Sequence, residues 1–149
     1  MSLKEQLRAD LTTAIKARDE LRSATLRMVL TAVTNEEVAG KSARVLSDDE
    51  VLKVLTREAK KRREAQTAYD GAGRTELAAR ETAELGVIEG YLPAQLTDAE
   101  IAGLVRATIT ATGASGPQAM GQVMKALTPQ VAGRADGGVV AAEVRRQLG

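Results

Sequence analysis

The chain has 149 residues and a net charge of +1, from 21 basic and 20 acidic side chains, with no Cys, no His and only two aromatic residues, both Tyr. The absence of Cys and His excludes disulfides, thiol nucleophiles and imidazole bases, and leaves the five Ser residues with nothing to activate them as a triad would. A core without Phe or Trp must be aliphatic and Ala-rich, which favours closely packed helices, and the length suits one ordinary domain or two small ones.

Leu3, Leu7, Leu11 and Ile15 recur every four residues and predict a first helix with one apolar stripe. Leu21, Ala24, Met28, Ala32 and Val33 continue the period as a second helix over 20–38, stopped at Gly40. Ser47-Asp48-Asp49-Glu50 reads as a capping box that opens a third helix to about Tyr69, with Val51, Leu52, Leu55, Ala59, Ala65 and Tyr69 inward. Gly71 and Gly73 end it. A fourth helix over 75–91 buries Leu77, Leu85 and Ile88 and carries Gly86 and Gly90, which would allow close helix contact.

Pro93 disfavours helix at the residue before it and lacks an amide donor, so the boundary between two domains, 1–92 and 93–149, is placed here. Thr97-Asp98-Ala99-Glu100 is a second capping box, opening a fifth helix with Ile101, Leu104, Val105 and Ile109 that ends near Gly113. Pro117 suits the first turn of a sixth, whose Met120, Val123, Met124 and Leu127 share a face before Pro129 and Gly133 close it. Asp136 can cap a seventh with Val140, Val144 and Leu148. The fold class is therefore all-α: an N-terminal bundle of about four helices followed by a small three-helix tail domain.

No apolar run approaches the roughly 20 residues that span a bilayer, and the first residues lead into charged helix rather than a signal-peptide core. A cytoplasmic protein with no membrane contact is expected. The densest acidic cluster, Asp48-Asp49-Glu50, sits where a helix start wants negative charge, so neither a metal nor any cofactor is expected. Gly40-Lys41-Ser42 matches the end of a phosphate loop, but Asn35 stands where the loop needs Gly and a helix precedes it in place of a strand, so a helix stop is the better reading.

Arg57, Lys60, Lys61, Arg62 and Arg63 form the densest basic cluster, spread around the third helix as solvated or paired surface, with contact to RNA or an acidic partner as the alternative. Arg18, Arg22 and Arg27 carry the same two readings. Gly121 admits either another helix or a phosphate backbone. Gly133-Arg134-Ala135-Asp136 reads as stop, turn and cap, or as Arg134 and free amides meeting a phosphate.

Several segments in order carry a family resemblance: Ser2-Leu3, Leu26-Arg27-Met28, Gly73-Arg74, Tyr91-Leu92-Pro93-Ala94-Gln95-Leu96, Met120-Gly121-Gln122-Val123-Met124 and Gly133-Arg134-Ala135-Asp136-Gly137. On these the chain resembles a stand-alone YqeY-type member of the GatB/YqeY family, the helical and tail portions of the B subunit of tRNA-dependent amidotransferases. That resemblance implies two all-helical domains and a tail that engages the body of tRNA through phosphates and riboses. Carried over by residue, the RNA-binding candidates are Gly121, Lys125, Gly133 and Arg134, with Arg106, Arg145 and Arg146 as nearby charge.

The family label would be a carbon-nitrogen ligase with glutamine as amido-N-donor. The residues for it are absent: the chain has no phosphate loop, no amidase Ser-Ser-Lys constellation and no ammonia-generating Cys, so no catalytic residue is assigned and intrinsic catalysis is not expected. Two functions follow. One is a tRNA-binding or amidotransferase-related accessory protein. The other is a helical interaction module that docks on an amidotransferase or an aminoacyl-tRNA synthetase.

Overall fold

Helix α1 (Leu3–Lys16) starts at Ser2, whose hydroxyl accepts from the Glu5 amide while the Glu5 carboxylate accepts from the Ser2 amide. The computed structural model describes all 149 residues and contains helices only, so the protein is all-α. Helices α2 (Glu20–Glu37), α3 (Asp48–Gly71) and α4 (Thr75–Glu89) complete a first unit, Met1–Leu92. Helices α5 (Asp98–Thr112), α6 (Met120–Val131) and α7 (Gly137–Leu148), with a 3-10 turn at Pro117–Ala119, form a second unit, Pro93–Gly149. No helix is long and apolar enough to cross a membrane.

The first unit closes around Leu7, Leu26, Val29, Val33, Val51, Val54, Leu55, Ala59 and Ile88. Ile15 does not join the stripe predicted for it: it is 47% exposed, and Ala14 is buried in its place. The physical reason is angular, since each step of four residues overshoots a full turn by about 40° and three steps carry Ile15 off the buried face. Met28 and Leu77 are likewise exposed where the sequence placed them inside. Leu26, Val29 and Ala78 take those roles.

Two predicted helix ends shift, and one predicted cap is made differently. Helix α2 ends at Glu37, before Gly40, which has no left-handed φ; the end is fixed by Glu37 itself, which accepts from Lys4 Nζ at 2.7 Å and from the Leu46 amide at 3.2 Å. The Lys4 bond is the main cause that holds the Glu37 carboxyl below the usual range. Ser47 caps α3, its hydroxyl accepting from the Glu50 amide at 3.3 Å, and the Glu50 carboxylate is shared between Ser47 and Arg44. Gly90 caps α4, and no atom lies within 4 Å of a Cβ built on Gly86, so that glycine serves no close helix contact.

Tyr91 ties α1 and α2 to the end of α4. Its hydroxyl donates to Asp10, while Arg22 Nη2 donates to that hydroxyl at 3.1 Å and lies 5.9 Å from the ring centre. Burial first, and then the Asp10 bond, push the Tyr91 phenol up to about 12. Because the folded value exceeds the unfolded one, this contribution to stability is complete below pH 10 and is lost as pH rises toward 12. Denaturant titrations across that window should show a loss of about 1 kcal/mol, reduced by the part exposure of the ring, and Tyr91→Phe should remove it. An unchanged slope in Tyr91→Phe would assign the loss elsewhere.

Candidate nucleic-acid interface

The second unit is organised by aliphatic stripes. Val123, Leu127 and Val131 on α6 meet Ile101 and Val105 on α5 and Val140 and Val144 on α7. Thr97 and Glu100 complete their reciprocal cap at α5, and Gly113 ends it in the left-handed region at φ 67°. Pro117 starts the short 3-10 turn rather than α6 itself, and Pro129 lies inside α6, near its end, where the helix continues to Val131.

With Val123 and Leu127 inward, residues 121 and 125 fall one turn apart on the opposite, exposed side of α6. Lys125 is the only charged residue of α6 and forms no ion pair. No atom lies within 4 Å of a Cβ built on Gly121, so no helix approaches it. These two candidates form one open patch.

Gly133 and Arg134 are held by the chain that enters the unit. Gly133, at φ 71°, packs its bare Cα against Pro93, whose Cδ stands 3.6 Å from a Cβ built there. The Leu96 amide donates to the Arg134 carbonyl at 2.8 Å, Gln95 Nε2 donates to the Gly133 carbonyl at 2.9 Å, and Arg134 Nε donates to the Ala94 carbonyl at 3.3 Å. Arg134 also lowers Glu100, behind the larger effect of the two Thr97 bonds, so its charge lies near a carboxylate. Asp136 Oδ1 accepts from the Gly138 amide at 2.7 Å, which removes that first-turn amide from any phosphate.

Arg106 and Arg146 come together around Glu143. Arg146 Nε donates to Glu143 at 2.9 Å, and Gln147 Nε2 donates to the same carboxylate at 2.8 Å and to the Ala102 carbonyl at 2.9 Å. The Arg146 and Gln147 bonds, with Arg106 a lesser influence, hold the Glu143 carboxyl down to about 2. Arg145 stands exposed in the last turn of α7, where a cation suits the helix dipole. Beside Glu143, a shallow groove of about 390 Å³ runs along Asp98, Ile101, Val139, Ala142 and Arg146.

The model of the YqeY-like protein family matches residues 4–148. The chain belongs to the YqeY-like family. No curated protein matches it.

The second basic cluster of this YqeY-like protein is largely neutralised. Arg57 pairs with Glu36 at 3.1 Å, Arg63 with Glu89 at 3.4 Å and Lys61 with Glu58 at 3.1 Å; Lys60 is exposed and also has a partner. Arg62 departs from the surface reading altogether. It is 7% exposed, bonded through Nη1 to Glu58 at 2.8 Å, and its Nε has no partner.

Sequence reasoning missed this buried set. Its signal was present: Glu58 and Arg62 share the buried face of α3 with Val51, Leu55 and Ala59, and Glu84 stands one turn before the buried Ile88 on α4. Charged residues in an apolar register mark a place where charge is enclosed.

Proposed function

We propose that this YqeY-like protein is a tRNA-binding or amidotransferase-related accessory module with no catalytic site of its own, acting through the second unit. The observation that carries the reading is the open side of α6, where unpaired Lys125 lies one turn from Gly121 and nothing covers either. A cation on a smooth, unobstructed helix face suits a phosphate backbone, which needs close approach and charge but no base-specific donor. Arg145 adds an exposed cation from α7. Arg134, Arg106 and Arg146 have their positive charge partly answered by Glu100 and Glu143, so their share is smaller.

The test is fluorescence anisotropy with bulk deacylated tRNA at about 50 and 200 mM salt, the range over which phosphate contacts release counterions and affinity falls. Lys125→Ala should weaken binding uniformly across tRNA species and reduce the log-log salt slope by about 1. Arg134→Ala should cost less affinity, because that side chain also spans to the Ala94 carbonyl. Equal affinity and slope in Lys125→Ala would remove α6 from the interface.

The groove beside Val139, which is 45% exposed, favours a second reading: docking on an amidotransferase or aminoacyl-tRNA synthetase. That reading expects a partner captured equally well after nuclease treatment.

A further inference from the structure

The first unit contains a cleft of about 270 Å³ lined by Met28 of α2, by Lys61, Arg62 and Ala65 of α3, and by Glu81 and Glu84 of α4. Glu84 is 6% exposed and accepts no hydrogen bond or ion pair, and its carboxylate opens into the cleft rather than being sealed in the core. Burial first and the neighbouring Glu81 second raise its carboxyl above the usual value. The cations nearby are already engaged. Glu58 holds both Arg62, at 2.8 Å, and Lys61, at 3.1 Å, while Arg80 is bonded to Glu20 of α2 at 2.9 Å.

The cleft thus faces Glu81 and Glu84 with no ion pair of their own, and three carboxylates, Glu58, Glu81 and Glu84, outnumber the two cations Lys61 and Arg62. One added positive charge would balance it. The walls add a polarity limit: Met28, 41% exposed, and Ala65 offer an adaptable apolar side. An ammonium presents three donors, enough for two carboxylates at once, on a stem that an apolar wall can cover. We propose that this cleft binds a primary alkylammonium group, carried either by a free aliphatic amine or by a lysine side chain of another protein.

The experiment follows the Glu84 carboxyl by carbon-13 NMR through a pH titration of the full chain, with n-butylamine, with N-acetyl-lysine amide, and with matched sodium chloride. A bound ammonium favours the ionised carboxylate, so the Glu84 midpoint should move down with amine and stay in place with the salt. Glu84→Gln should weaken amine binding about tenfold or more, the scale of one charged hydrogen bond, and Glu81→Gln by a smaller factor, with unchanged helical circular dichroism. Response to both probes supports the site for alkylammonium from either source; response to n-butylamine alone supports a free amine; response to the lysine derivative alone supports a partner side chain. A Glu84 midpoint that responds to neither beyond the salt control overturns the proposal, as does equal amine binding by Glu84→Gln.

Discussion

Glu58→Ala should destabilise the protein by about 3–5 kcal/mol, the cost of leaving one member of a buried ion pair behind. Arg62 shows why. Only 7% of it is exposed, its Nε has no partner, and its remaining hydrogen bonds would be to the Glu58 carbonyl at 3.3 Å and a Met28 sulfur at 3.6 Å, with Glu84 in the same cleft but not bonded to it. Lys61 would lose the same carboxylate, but it is largely exposed and water replaces the contact. Against a total stability that for most domains lies around 5–15 kcal/mol, this is a large share. Replacing both members, Glu58→Leu with Arg62→Met, should recover most of the loss, because well-packed apolar side chains need no compensating charge. Urea midpoints of the parent and the two variants decide it, and a loss below about 1 kcal/mol in Glu58→Ala would mean that Arg62 swings out to water.

Leu127→Ala should cost about 2–5 kcal/mol and melt the second unit. That unit buries seven apolar side chains, six of them Val or Ile, and Leu127 on α6 is the single leucine among them and fully buried. Small units bury a low fraction of their surface and stand close to the threshold, so one cavity at this position outweighs the margin. Hydrogen exchange over α5, α6 and α7 reads the result directly, with protection lost in Leu127→Ala and retained in Leu127→Met, where volume is conserved. Native-level protection in Leu127→Ala would show that the core collapses onto the missing methyls.

What was legible in the sequence is what depends on neighbours a few residues away. Thr97 with Glu100, Asp136 before Gly138, and Gly113 and Gly133 as stops all act within one turn of chain, and each does in the structure what its spacing implies. Apolar periodicity located every helix and most of the second-unit core. It failed at Ile15 and Met28, where a count of apolar types was followed in place of the angle around the helix axis. The register of Arg62 and Glu84 signalled that they face inward, but the cleft that three helices make around them is stated by no local pattern. Among the candidate interface residues, the sequence places Gly121 and Lys125 one turn apart and Glu143 one turn before Arg146, whereas the bond of Arg134 to Ala94 depends on the folded chain.

The second unit contains no aromatic side chain, since both tyrosines of the protein, Tyr69 and Tyr91, precede residue 93. An RNA held on that unit finds no ring on which an unpaired base can stack, and stacking on aromatic rings is a usual means by which single-stranded bases are gripped. Splayed-out bases would add little grip there: unstructured RNA would gain no aromatic stacking beyond what its phosphates supply, and selectivity among folded RNAs would draw on the path of the backbone.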